Sequence, residues 1–166
     1  MTTKNPVALV TGASTGIGAA YARLLAQKGY DVVLLARDQV TLQAVADDIV
    51  AQHTVQAYIC VQDLSDPDAV ANVWAFTESH QLTIDLLINN AGYGDVGPFL
   101  DHSLAEHKAM LDAMLYAIIA LTHAYLPGMV ARGQGGVVNV ASVVGLLGPA
   151  LKSNIKRALY RPIKSF

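Results

Sequence analysis

The chain alternates short, largely apolar runs with longer stretches in which apolar residues recur every three or four positions. Apolar runs bounded by turn formers read as strands covered on both faces. Val7–Val10, Asp31–Ala36, Val55–Cys60, Ile84–Ile88 and Val137–Ala141 are predicted as such strands. The stretches between them carry helical spacing. Gly18–Gln27 is alanine-rich and is closed by Gly29. Asp38 caps the next helix, whose apolar face is Val40, Leu42, Val45, Ala46 and Ile49. Asp66 and Pro67 read as N-cap and first residue of a third helix, with Val70, Val73, Trp74 and Thr77 turned inward. Ser103–Glu106 is a capping box. It opens a helix that runs, with a kink, into a long apolar one ending near Met129. Gly133–Gly136 is a turn. Strands alternating with helices across short loops imply parallel pairing and right-handed crossovers. The predicted fold class is α/β, a doubly wound parallel sheet that holds ligands outside the carboxyl ends of its strands.

Composition agrees with a sheet buried on both sides. Of 166 residues, 53% are hydrophobic and 14% charged. That length fits one domain. A net charge of −2 gives no reason to expect a nucleic-acid partner. The single cysteine, Cys60, excludes an internal disulfide and fits a reducing, cytoplasmic setting, where it reads as a small buried apolar residue. Met1–Pro6 lacks the charged-then-apolar pattern of a signal peptide. The most membrane-like window, Ala113–Ala131, contains Tyr116, Thr122, His123, Tyr125 and Pro127 and is flanked by Asp112 and Arg132. It reads as a buried or interface helix rather than a membrane span. His53, His80, His102, His107 and His123 form no ligand constellation, and the spacing of His102 and His107 does not align them on one helix face. No metal is expected.

The chemistry is concentrated at strand ends. Thr11-Gly12-Ala13-Ser14-Thr15-Gly16-Ile17-Gly18 lies between the first strand and the first helix. Glycine lets the backbone turn tightly and approach a diphosphate, and helix-start N–H groups hold the anion. The spacing is G-x-x-x-G-x-G, not G-x-G-x-x-G. Asn89-Asn90-Ala91-Gly92 ends the fourth predicted strand, and Val138-Asn139-Val140-Ala141-Ser142 ends the fifth. Together, in this order, the three segments resemble the short-chain dehydrogenase/reductase family over roughly residues 6 to 150. The resemblance implies a Rossmann-like dinucleotide-binding domain over 1–150, incomplete at its C-terminal end. It implies hydride transfer between a nicotinamide cofactor and a small alcohol or carbonyl.

Residue by residue, the resemblance assigns Gly12, Gly16 and Gly18 to the diphosphate and Ser14 and Thr15 to the adenosine side. It places Ile17 near the nicotinamide. Asp63 and Leu64 match the pair bordering the adenine. Asn90, Ala91 and Gly92 match the segment along the ribose, and Asn89 is expected to tie the central strand to its neighbour. Tyr93 and Gly94 continue into a loop resembling the active-site wall. At the end of the second strand an acidic residue would accept bonds from ribose hydroxyls and repel a 2′-phosphate. Here Ala36 is followed by Arg37, whose guanidinium suits a phosphate. NADP(H) is therefore expected over NAD(H), with Asp38 pulling the other way.

The catalytic half departs from the family. Ser142 stands where the serine that hydrogen-bonds the substrate oxygen is expected. The tyrosine and lysine positions fall on Ile155 and Leu159, and the relay asparagine on Met114. Tyr160 and Lys164 have the right mutual spacing, but they come late and Pro162 between them opposes a continuous helix. Residues 151–166 form a divergent basic tail, with Lys152, Lys156, Arg157, Arg161 and Lys164 and no acid. Two readings stay open, a truncated oxidoreductase and a non-catalytic nucleotide-binding or interaction module. Apolar surface at Val137, Val138, Val140, Leu146 and Leu147 wants a cover, and self-association is expected.

Overall fold

The computed structural model describes residues 4–94 and 98–142. Five parallel strands, β1 (Val7–Thr11), β2 (Asp31–Ala36), β3 (Ala57–Val61), β4 (Ile84–Asn89) and β5 (Gly136–Asn139), form one sheet in the order β3-β2-β1-β4-β5. Helices α1 (Gly16–Gln27), α2 (Gln39–Gln52), α3 (Ala69–Ser79), α4 (Leu104–Leu111) and α5 (Ala117–Arg132) connect them. The doubly wound α/β expectation holds. The apolar runs are explained by two cores, one on each side of the sheet. Val7 and Leu9, Val33 and Leu35, and Leu87 face a core with α3, α4 and α5. Ala8 and Val10, Val32 and Leu34, and Ile88 face a second core with α1 and α2. Alternate side chains of one strand thus both need to be apolar. β1 and β2 are wholly buried, whereas β3 and β5, outermost in this sheet, are only partly so.

Several local expectations shift. α3 begins at Ala69, not at Pro67. Asp66 and Pro67 sit in a turn in which Asp66 O accepts from Ala69 N at 3.1 Å. On α2, Leu42, Val45, Ala46 and Ile49 are buried, but Val40 is 79% exposed. Val40 lies two residues before Leu42 and so falls off the buried stripe. Trp74 is not inward either. It stays 42% exposed and lies against Tyr125 of α5, with ring centroids 5.2 Å apart. β3 starts two residues later than expected and β5 ends at Asn139.

Other signals were read correctly. Gly29, at φ 84°, closes α1 with Gly29 N donating to Ala26 O and Tyr30 N to Leu25 O. Asp38 caps α2 through Val40 N and Thr41 N. Ser103 and Glu106 form both halves of the capping box. The expected kink is a π-helical turn over Asp112–Tyr116, which joins α4 to α5.

The α4–α5 run, Leu104–Arg132, is long and apolar enough to cross a membrane. Met110, Ala113, Met114, Ala117, Leu121, Tyr125 and Met129 supply its inner stripe. Tyr116, Ile119, Leu126 and Val130 remain exposed. The inner stripe is fixed toward its C-terminal end by a buried polar contact. The Tyr125 and Thr77 hydroxyls meet at 3.0 Å, and Thr77 Oγ1 also lies 2.9 Å from Trp74 O. Burial pushes the Tyr125 phenol up to about 12, so it stays neutral. Tyr125→Phe is expected to lower stability by about 1 kcal/mol. A thermal melt checks this, and an unchanged Tm would show that the hydroxyl pair contributes nothing.

Candidate functional site

The chain leaves β1 toward β2 and β3, then returns to β4 on the other side of β1. Loops after β1 and β4 therefore part and leave a crevice at the carboxyl ends of the strands. A cavity of about 510 Å³ opens there. Each strand contributes to its wall. Gly12 and Ser14–Ile17 follow β1, Arg37 and Asp38 follow β2, and Gln62–Leu64 follow β3. Asn90–Tyr93 follow β4 and Val140–Ser142 follow β5. The structure thus gathers Gly12, Ser14, Thr15, Gly16, Ile17, Arg37, Asp63, Leu64, Asn90, Ala91, Gly92 and Ser142 around one space.

Gly18 acts behind this wall rather than in it. A Cβ on Gly18 would stand 2.1 Å from Gly12 O and 2.6 Å from Asn90 Nδ2, so the helix can pack on the loop only without a side chain there. Gly12, at φ 67°, needs the left-handed region.

Thr11 holds the crevice together. Its buried hydroxyl donates to Ile88 O at 3.2 Å and accepts from Asn90 N and Ala91 N, both at 2.9 Å. Asn90 Nδ2 donates to Thr11 O at 3.0 Å and Gly12 O at 3.4 Å. The Asn90 amide therefore braces the glycine loop as well as lining the cavity. Asn89 behaves as expected, donating to Asn139 Oδ1 at 2.8 Å and so joining β4 to β5. It also reaches Thr122 Oγ1 of α5 at 3.3 Å. Sequence reading missed Thr11, although a polar residue ending an apolar strand was its signal.

The start of α1 is suited to an anion. Thr15 occupies the N-cap position without a side-chain cap bond, and the first turn has no acid. The helix-start N–H groups and the dipole are thus left for a ligand. An added Cβ at Gly16 would meet open space, so the backbone there is approachable. These observations fit a diphosphate. Also in the cavity wall, Arg37 Nη1 lies 3.7 Å from Asp63 Oδ2, and the guanidinium carbon lies 5.7 Å from the Tyr93 ring centroid. Asp38 is committed to its helix cap, its Oδ1 2.9 Å from Val40 N. Burial raises the Asp63 pKa, but the Ser65 N–H and hydroxyl and the Arg37 charge outweigh that and hold the carboxyl below its ordinary range.

Met114 occupies the expected asparagine position. It is buried in the π turn, with its Cε 3.1 Å from where a Cβ on Gly92 would sit. His102 and His107 do come together, with centroids 5.9 Å apart, because His102 precedes α4 instead of riding on it. His107 is stacked on Phe99, and its Nε2 lies 3.1 Å from Phe99 O. Ile155, Leu159, Tyr160, Lys164 and the apolar Leu146 and Leu147 lie outside the described residues.

Residues 6–154 match the description of the short chain dehydrogenase family. The chain belongs to the short-chain dehydrogenase/reductase family. A ketoacyl reductase, HetN, from a Nostoc species is 35% identical over 145 residues, covering 87% of this chain and 50% of that protein. The NADP-dependent 3-hydroxy acid dehydrogenase YdfG of Escherichia coli is 31% identical over 84% of this chain and 55% of its own length. A short-chain dehydrogenase from Sphingobium yanoikuyae, solved in complex with NADPH, superposes with a TM-score of 0.85. It is 35% identical, over 93% of this chain and 60% of that one. This short-chain dehydrogenase/reductase chain spans about half the length of the curated relatives it matches.

Thr11→Val keeps the shape of the side chain but leaves the N–H groups of Asn90 and Ala91 without their acceptor. A loss of about 1–3 kcal/mol is expected, whereas Thr11→Ser should restore most of it. Chemical denaturation of both variants decides this. For Asp63, a depressed carboxyl pKa contributes stability above its unfolded value and loses it as pH falls through the folded value. The Tm gap between wild type and Asp63→Asn should therefore be present at neutral pH and close below the ordinary value of 3.8. A gap independent of pH would contradict it.

Proposed function

We propose that the cavity binds NADP(H) in preference to NAD(H) and that the chain serves hydride transfer on a small alcohol or carbonyl. The observation that carries this reading is that one cavity is lined both by an uncapped helix start at Thr15 and by a guanidinium, Arg37. One site suits a diphosphate and the other a 2′-phosphate. Asp38, the acid that adjoins Arg37 in sequence, is committed to its helix cap. YdfG is NADP-dependent by name, and the Sphingobium enzyme was solved with NADPH. Both support the same choice.

When bound, the nicotinamide would supply the hydride exchange. Ser142, at the β5 end of the cavity, would hydrogen-bond the substrate oxygen. Gly12 and Gly16 would let the backbone meet the diphosphate, and Ser14 and Thr15 would bind on the adenosine side. Asp63, Leu64, Ala91 and Gly92 would flank the adenine and ribose. Residues 1–150 form the dinucleotide-binding unit in this reading, and 151–166 a separate basic tail. The exposed residues Tyr116, Ile119, Leu126 and Val130 would be covered by a second copy. Buried Cys60, whose thiol is pushed up to about 11 by desolvation, suits a reducing cytoplasm.

A second reading, a nucleotide-binding module without turnover, is favoured by Met114. A thioether at the relay position holds no water for proton transfer. Both readings predict binding, and they part at turnover. Titration calorimetry with NADPH and NADH is expected to give tighter binding of NADPH. Absence of binding to either would refute the nucleotide site altogether. NADPH oxidation with a panel of carbonyls then separates the two readings. Turnover that disappears in Tyr160→Phe would assign the late Tyr160 and Lys164 pair to catalysis. No turnover with intact binding would assign the chain to the second reading.

A further inference from the structure

We propose that Tyr93 is a positioning residue for Arg37, and that the Tyr93–Arg37 pair, not Arg37 alone, sets the preference for a 2′-phosphorylated cofactor. The inference rests on the NADP(H) reading of the same site. Arg37 leaves the end of β2 with a side chain 66% exposed, and a long exposed arginine samples many rotamers. Something must hold it if it is to meet a phosphate without a large ordering cost.

Tyr93 offers that hold. It follows β4 and packs against the core beneath α3 to α5, so its ring is the anchored partner. The guanidinium carbon lies 5.7 Å from the ring centroid, within the range of cation–π attraction. A guanidinium attracted by a ring keeps its N–H edge for a planar, bidentate acceptor. Asp63, at 3.7 Å, adds charge attraction at a distance longer than a hydrogen bond, so it draws Arg37 toward the cavity without fully occupying its donors. Arg37 comes from β2 and Tyr93 from β4, so their contact crosses the crevice over the end of β1. Both line the cavity. A cofactor bearing a phosphate at this end meets a guanidinium already aimed. One lacking it gains little from the same arrangement.

The test is titration calorimetry of the full chain with NADPH and with NADH, at one ionic strength, for wild type and three variants. Tyr93→Leu keeps apolar packing and removes the ring face. It is expected to lower the NADPH-to-NADH affinity ratio by about two- to five-fold. Tyr93→Phe keeps the face and should keep the wild-type ratio. Arg37→Lys, made on an exposed side chain, keeps the charge and removes the planar fork, and should lower the ratio without touching the core. A wild-type ratio in Tyr93→Leu would overturn the inference. So would full retention in Arg37→Lys, or a loss in Tyr93→Phe as large as in Tyr93→Leu. A wild type that does not discriminate between the cofactors would instead refute the NADP(H) reading, and the inference with it.

Discussion

The buried hydroxyl of Thr11 is the point on which this site depends. Where the strand order reverses, β1 and β4 run side by side, but their loops turn to opposite faces of the sheet. Backbone groups just past the strand ends lose their ladder partners there and need others. Thr11 replaces the ladder with a side chain, serving Ile88 O, Asn90 N and Ala91 N from one oxygen. The Asn90 amide returns the support to Thr11 O and Gly12 O. The crevice is open because the loops diverge, and it is stable because these bonds keep the divergence from becoming disorder. The missing side chain of Gly18 completes the arrangement by letting α1 sit directly on Gly12.

This also explains which parts of the fold were legible in the sequence. A strand buried on both faces is apolar along most of its length, so β1, β2 and β4 announced themselves as largely apolar runs. Caps with side-chain chemistry of their own, Asp38 and Ser103 with Glu106, were equally plain. What failed were inferences about facing. Val40 is apolar, yet it lies two residues before Leu42 and so falls on the side of α2 away from the buried stripe of Leu42, Val45, Ala46 and Ile49. Trp74 was assigned to the core by periodicity, but its ring lies at the α3–α5 seam against Tyr125, half in solvent. Asp66-Pro67 carries a helix-start signal, and a turn closed by Asp66 O and Ala69 N uses the same residues first. Periodicity gives a helix its stripe, but the length over which a neighbour covers that stripe is a tertiary quantity.

The site was legible in part for the same reason. Glycines that must lack a side chain, and an arginine after an apolar strand, are local facts. The alliance of Arg37 with Tyr93 and Asp63 is not, because it joins residues that follow three different strands. Nor does sequence reveal that Asn90 spends its amide on the neighbouring loop, or that His102 reaches His107 from outside the helix.

The π turn at Asp112–Tyr116 makes the contrast between the two halves of the site physical. A π turn sacrifices regular hydrogen bonding and is tolerated mostly where it places a residue for a purpose. Here the bulge delivers Met114 against Gly92, in the place where the resemblance calls for an asparagine. An apolar side chain thus stands where the resemblance implies a polar one. Gly12, Gly16 and Gly18 match the resemblance. Binding a cofactor and stabilising a transition state are separate demands, and only interactions stronger in the transition state accelerate chemistry. The nucleotide-facing half keeps its geometry through backbone packing that also holds the sheet together, so it persists as long as the fold does. A catalytic half would rest on individual side chains, and at a core position such as Met114 an apolar residue serves the fold as well.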